Sequence, residues 1–332
     1  MAHEIFGERF FGKQREPAWH GLGKVMNVPV TAIQAFEDMG AYDIHAEKLY
    51  RGNGSVVSGQ AIVRELTAKG EPEKVIGIVG PDFMPVTPTQ TCQAYDDSIG
   101  QAVETIGALK DGETLFISTK LPTIAVKNDE VEMYLLLINP MGGGEAVQIR
   151  TTPQRVVCQN TLTIAQSLSA QCYKVRHDIN ALANMTGWLK DVMGKAKDQT
   201  AMIKEALEIL ANYWVDEKTA VEVLNQTYPA PRVPRNTAPK DVMVRRLEHR
   251  EYLGEVLASC RDNVLKLFSG AGTGMETPEC AGTAYGLFNA CAEFEDNRWS
   301  KNPMGALESA VFGANADRKE ACFEILMELA KV

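Results

Sequence analysis

The strongest constraint on this chain is a change in the spacing of its apolar residues. Between about Tyr42 and Arg150 they form short runs bounded by glycine, proline and asparagine, and beyond Thr152 they recur three and four apart almost to the end. Strand side chains alternate between faces and helix side chains return every 3.6 residues, so the spacing predicts a strand-rich half followed by a helical one, an α+β fold. The strand-like runs are Ile44 to Arg51, Val56 to Leu66, Val75 to Val79, Thr114 to Thr119, Ile124 to Lys127, Val131 to Ile138 and Ala146 to Arg150. Gly52-Asn53-Gly54 supplies the positive backbone angles that a hairpin needs between the first two. Tyr95, Ile99, Val103 and Ile106 stand at helical spacing in a segment from Thr89 to Gly107. The local order is then β-β-β-α, and the whole reads as one mostly antiparallel sheet with a helix packed on it.

Thr152-Pro153 has the form of a helix start, a threonine cap feeding a proline whose missing N–H costs nothing in the first turn. That helix is expected to continue through Val157, Thr161, Ile164 and Leu168. Further helices are expected over Thr200 to Trp214, Asp216 to Leu224, Asp241 to Phe268, Thr277 to Phe294 and Asp317 to Ala330, the last with Asp317 and Glu320 at capping-box spacing. Four prolines between Tyr228 and Pro239 make an extended connector. The plan is therefore an N-terminal arm and short helix over 1–40, a strand-rich domain over 41–178, and a helical domain over 179–332 that carries the connector at 228–239.

With 332 residues, 45% of them hydrophobic, the chain can bury a sizeable core. Seven cysteines without a Cys-x-x-Cys pair imply neither a disulfide framework nor a zinc ribbon and fit a reducing compartment. Met1 to Gly12 lacks the apolar core of a signal peptide, and the run Met133 to Ile138 is too short to cross a bilayer. A cytoplasmic protein without membrane contact is expected.

The five histidines show no His-x-x-x-His or His-Glu-x-x-His spacing, and His177-Asp178 reads as a helix-boundary pair. No Glu-x-Lys of a nuclease strand occurs, and the paired acids Asp96-Asp97 and Asp129-Glu130 read as solvated faces because adjacent side chains diverge. Gly142-Gly143-Gly144 and Gly270-Ala271-Gly272-Thr273-Gly274 lack the Lys-Ser/Thr of a phosphate loop; the first reads as a turn and the second as a helix stop. Cys158, three residues after Arg155, reads as a small core residue and not as an activated thiol. No catalytic residue, metal or cofactor is expected.

Four segments carry a resemblance. They are Met1-Ala2-His3-Glu4, Pro17 to Gly23, Arg155-Val156-Val157-Cys158-Gln159-Asn160-Thr161-Leu162 with its preceding Thr-Pro, and Gly282-Thr283-Ala284-Tyr285-Gly286-Leu287-Phe288-Asn289-Ala290 with Glu293. Together they resemble the phage/plasmid-like protein family known as domain of unknown function 932, over essentially the whole chain. The resemblance implies a role in the life of mobile DNA without naming a reaction. The β-β-β-α order is also similar to the core of the single-strand annealing proteins, which include the eukaryotic recombination mediator and phage annealing proteins such as Red beta and Erf. That likeness implies assembly into rings or helices, with single-stranded DNA held along a basic groove beside the sheet.

A net charge of -9 is incompatible with a protein coated in positive charge, so any contact with an anion must be local. Lys48, Arg51 and Arg64 cluster with Tyr50 in the first hairpin, as a strand-tracking groove requires, and Arg155 is a further candidate cation. Ala230 to Arg250 carries six basic residues, Arg245 and Arg246 among them, against two acids, a local charge of +4. These residues are read as contacts to single-stranded DNA. The alternative is a non-enzymatic protein that binds a host or phage replication protein. In the arm, Trp19, His20 and Leu22 are read as contacts within a homo-oligomer. Deleting residues 1–23 is expected to lower the oligomeric state measured by light scattering at micromolar concentration; a full-length protein already monomeric there would end this reading.

Overall fold

In the computed structural model the described residues are 6–11, 24–25, 28–155, 172–232, 240–297 and 313–331. Along the chain, β1 (Phe6–Phe11) and β2 (Lys24–Val25) precede α1 (Ala32–Gly40), β3 (Ile44–Tyr50), β4 (Val56–Arg64), β5 (Lys74–Val79) and α2 (Pro88–Ile99). Then come β6 (Thr105–Leu109), β7 (Thr114–Val126), β8 (Asp129–Pro140), β9 (Val147–Arg155) and β10 (Cys172–Val175). The helices α3 (Ala181–Asn212), α4 (Glu217–Thr227), α5 (Lys240–Lys266), α6 (Ala284–Asn297) and α7 (Ala314–Ala330) complete the chain. The fold is α+β, with antiparallel strands first and helices after, as the spacing predicts.

The strands divide between two sheets instead of forming one. β3, β4 and β5 make a three-stranded meander, and the others are ordered β10-β9-β8-β7-β6-β1-β2, antiparallel except for the β1–β2 pair. The helix that follows β5 packs on α1 and α3. Asn139 of β8 donates to its Thr91 Oγ1 at 2.7 Å and to Val86 O just ahead of it at 2.8 Å. The two sheets meet through glycine: a Cβ on Gly77 of β5 would lie 1.9 Å from Gly142 O in the β8–β9 loop, so only bare backbone fits. Tyr42 Oη donates to Gly112 O at 3.1 Å and Lys74 pairs with Asp111, which ties the small sheet to the β6–β7 turn as well.

Several local expectations change, each for a physical reason. α2 ends at Ile99 because Gly100 is left-handed (φ 63°) and returns its N–H to Asp96 O. Val103 and Ile106 are apolar because they are buried at the entrance to β6 and within it. The runs at 114–119 and 124–127 are one strand, broken by a bulge between Leu121 and Ile124, where Pro122 has no N–H for the ladder. Thr152-Pro153 continues β9 opposite Tyr134 and Met133 instead of starting a helix. Pro153 stands opposite Met133 of β8, and the described pairing of β9 with β10 covers Val147 to Arg150. The remainder of that expected helix, from Val157 to Leu168, lies outside the described residues with Cys158. Gly313 precedes the first turn of α7, which places Asp317 and Glu320 inside the helix and not in a capping box.

α3 starts well before Thr200. Gly187, Gly194 and many polar residues on its exposed side dilute the helical signal, yet Met185, Leu189, Val192, Ala196, Ile203, Leu207 and Leu210 form one buried stripe. Each fully buried aliphatic side chain of this kind contributes about 1.5–3 kcal/mol. The stripe lies over β7 and β9, where Thr151 Oγ1 donates to Gln199 Oε1 at 2.8 Å, and continues onto α6 and α7. The β7–β8 turn inserts into the same helices. Lys127 Nζ donates to Ala211 O at 2.7 Å, Asn128 Nδ2 to Glu279 Oε1 at 2.9 Å, and Tyr285 Oη to Asp129 Oδ2 at 2.7 Å. Asp129 is therefore buried and not solvated. Asp96 departs from expectation in the same way, accepting from Ala32 N at 2.7 Å and Ile33 N at 3.0 Å at the start of α1. Among the described residues no helix is long and apolar enough to cross a membrane.

His177 is buried at the boundary before α3, its ring centroid 4.7 Å from that of Phe83. Burial pushes its pKa down from 6.5 to about 4. Between these values the unfolded chain holds a proton that the folded one does not, so stability is full above the unfolded value and falls as the pH drops toward the folded one. Between pH 7 and pH 5 the unfolding free energy is expected to fall by about 2 kcal/mol more in the parent than in His177→Gln. Urea titrations at the two pH values check this; equal losses would show that the folded protein accepts the proton.

Candidate nucleic-acid interface

The β3–β4 hairpin brings Lys48, Tyr50 and Arg51 to its tip, all exposed, Tyr50 to 62%. Arg51 N donates to Ser55 O and Gly54 N to Arg51 O, both at 2.8 Å, while Asn53 Oδ1 accepts from Ser55 Oγ, so the turn residues close a tight loop. The register slips between Lys48, opposite Gln60, and Tyr50, opposite Val56, with the extra residues on β4. Arg64 does not belong to this surface. It pairs with Ile44 at the other end of the ladder, is 3% exposed, and donates from Nη1 to Glu65 O at 3.0 Å and from Nη2 to Pro72 O at 2.9 Å. Those carbonyls lie in the β4–β5 connection, where no ladder supplies a donor and the guanidinium does. Acid also gathers at that other end of the ladder. His45 Nε2 and Nδ1 lie 3.1 Å from the Glu47 and Glu65 carboxylates, and the bond to Glu47 is the main cause of an imidazole pKa above the ordinary value. The positive charge of the hairpin reduces to Lys48 and Arg51.

α5 assembles the second cluster. Its later turns hold it to the body through buried Cys260 and Val264, whereas residues 244–249 are all exposed. Arg245, His249 and Tyr252 stand four and three apart, so one side of the helix carries them in a row, with Tyr252 62% exposed. Arg246 is exposed beside them. Arg250 Nε donates to Pro231 O at 3.1 Å, which holds the start of the connector, with its exposed Arg232, against the helix. A search for basic residues alone misses His249 and Tyr252; the spacing from Arg245 is the signal that finds them. Arg155 ends β9 opposite Val131, and its side chain is outside the described residues, as are Trp19, His20 and Leu22.

The other polar clusters are internal. Tyr228, the first residue of the connector, is fully buried; its Oη donates to Glu295 Oε1 at 2.7 Å and lies 3.5 Å from Cys291 Sγ, and its carbonyl accepts from Arg261 Nη1 at 2.8 Å. Burial, ahead of the neighbouring thiol and carboxylate, raises its hydroxyl far above the ordinary range. Arg318 Nη1 stands 3.2 Å from Glu295 Oε2, and buried Lys319 meets Asp296 at 2.6 Å. Each charge is matched inside the network, which fastens the connector, α6 and α7 to one another. Cys92, Cys260, Cys280, Cys291 and Cys322 are buried thiols, and contact with Cys322 together with burial holds Cys291 well above the reactive range. Among the described residues no three His, Cys, Asp or Glu side chains converge as a metal ion would need.

The segment Gly282 to Glu293 is likewise a packing device. Thr283 Oγ1 accepts from Gly286 N at 3.1 Å, a Cβ on Gly286 would lie 1.9 Å from Cys280 O, and Glu293 takes the Thr273 N–H at 2.9 Å. What the fold and its surface define is an α+β protein whose internal ion pairs fasten its last helices together and whose exposed hairpin tip and α5 stripe are basic and aromatic. The family described as a domain of unknown function, DUF932, matches residues 75–314, from within β5 to the start of α7, and the chain belongs to that family. The match begins after the β3–β4 hairpin and includes α5. No curated protein and no solved structure matches.

Arg64→Ala is expected to lower the unfolding free energy by about 2–3 kcal/mol, because two connection carbonyls lose a charged donor. Binding of a polyanion such as heparin should be unchanged. A variant as stable as the parent in urea would mean that the guanidinium is not buried.

Proposed function

We propose that this protein binds single-stranded DNA of a phage or other mobile element in the cytoplasm of its host, acting as a homo-oligomer that coats or anneals strands and performs no catalysis. The observation that carries this reading is the α5 stripe, where Arg245, His249 and Tyr252 share an exposed side next to Arg246 and Arg232. Guanidinium groups can follow phosphates, and a tyrosine ring among them offers a face on which any base stacks. The hairpin tip repeats the combination on a smaller scale with Lys48, Tyr50 and Arg51. The likeness to phage- and plasmid-borne proteins and the β-β-β-α order support a role in recombination or replication. A host or replication protein as partner is the second reading, favoured by the outer strand of the small sheet, where Val75 is 54% and Ile78 72% exposed.

Fluorescence anisotropy with a labelled single-stranded oligonucleotide at two salt concentrations tests the proposal. Affinity is expected to fall as salt rises, and Arg245→Ala with Arg246→Ala should flatten that dependence by roughly 1.4 in logarithmic slope, about 0.7 for each contact. Tyr252→Ala should weaken binding by about 1–3 kcal/mol with the slope retained. Lys48→Ala with Arg51→Ala should act in the same direction as the arginine pair, with a smaller loss. A parent protein that assembles but ignores the oligonucleotide at low salt would reject the proposal in favour of a protein partner. Binding lost in the hairpin variant alone would move the contact from α5 to the hairpin.

A further inference from the structure

α5 does not stop cleanly. It passes into a π-helical turn, Leu267–Ala271, in which Gly270 takes a φ of 114° that other residues rarely adopt. Such widened turns recur at functional sites. Here the turn forms one wall of a pocket of about 330 Å³, large enough for a small ligand or one long side chain. Leu265, Phe268 and Met275 give it an apolar lining.

Three features of its rim agree on the charge of an occupant. The first is Glu217, which opens α4. Asp216 already caps that helix, accepting from Thr219 N at 2.8 Å, and among the described residues Glu217 has neither an ion pair nor a side-chain hydrogen bond. The second is the end of α5 itself, where a helix C-terminus carries partial negative charge that offsets the partial positive charge of the α4 N-terminus on which Glu217 stands. The third is Trp214, which does not line the pocket but stands against the lining residue Gly282. A bridge to Thr283 places its indole over Gly282 of the rim, so close that a Cβ there would lie 2.4 Å from the ring, and yet the residue is 71% exposed. An open indole face attracts cations. No lysine or arginine lines the pocket to oppose these features.

We propose that this pocket binds a cation carried on an apolar body, an alkylammonium or alkylguanidinium group, with the body against Leu265, Phe268 and Met275 and the charge at Glu217 beside Trp214. The site shares no residue with the α5 stripe, and its negative rim repels phosphate, so it stands or falls independently of DNA binding. A free amine and a lysine or arginine side chain of a protein partner present the same chemistry.

Fluorine NMR of the full chain labelled with 5-fluorotryptophan provides the test. The chain has four tryptophans, and Trp214→Phe assigns the resonance in question. Titration with 4-phenylbutylammonium should shift the Trp214 signal saturably, while the neutral isostere 4-phenylbutanol should bind at least roughly tenfold more weakly. Glu217→Gln should weaken the ammonium by a similar factor, and Ala281→Leu, which fills the pocket from an exposed position, should abolish the shift. A short peptide with an internal arginine, run in parallel, tells a protein side chain from a free amine by which of the two binds more tightly. The proposal is overturned if the alcohol binds as tightly as the ammonium. It is equally overturned if Glu217→Gln, folded by circular dichroism, binds like the parent, or if neither cation shifts Trp214 up to about 10 mM.

Discussion

Where β7 turns into β8, three consecutive residues reach out of the sheet and into the helices. Lys127 takes the carbonyl of Ala211 near the end of α3, Asn128 meets Glu279, and Asp129 accepts from Tyr285 in the first turn of α6. Asp129 is 4% exposed and Tyr285 fully buried, so withdrawing the turn would break a hydrogen bond between two groups already removed from water. α3 makes the second link, because one stripe of its side chains covers the sheet and then the helices. With both links in place neither half can move far from the other, and every exposed cluster is displayed on a fixed frame.

That frame separates charges by use. Glu295 with Arg318 and Asp296 with Lys319 face inward and hold helices together, where desolvation makes each partner necessary to the other. Arg246 and Lys48 face water, where a long cationic side chain adds little to folding.

The two periods of the sequence were enough to find β3, β4, β5, β7, β8 and β9 and most of the later helices, because both signals arise within a few residues of each other along the chain, whereas β1, β2, β6 and β10 were missed. Features set by distant contacts were not legible. Val103 and Ile106 extend the spacing of α2, and only the left-handed Gly100 and the pairing of β6 remove them from it. Pro153 looks like a helix start until its pairing with Met133 of β8 places it within β9. Arg64 counts as surface charge until the carbonyls of Glu65 and Pro72, which no pattern ties to it, are seen to enclose it. Of the candidate site, the basic residues near Arg245 were legible, and Tyr252 would have been on helical spacing alone. The pocket at the end of α5 was not, since Glu217, Trp214 and Phe268 come from three separate stretches of chain.

The glycine contact between the sheets also constrains how such a chain can evolve. Gly77 and Gly142 touch backbone to backbone, so a side chain at either position would push the sheets apart, and no compensating change at the other position could restore the gap. The two positions are therefore coupled sterically. The family match begins at Val75, two residues before this contact, so the contact lies where the shared domain receives the β3–β4 hairpin. A lineage that replaced Gly142 would have to seat its small sheet elsewhere or lose it, whereas the hairpin tip, fifteen or more residues away along the chain, is free to diversify without disturbing the joint.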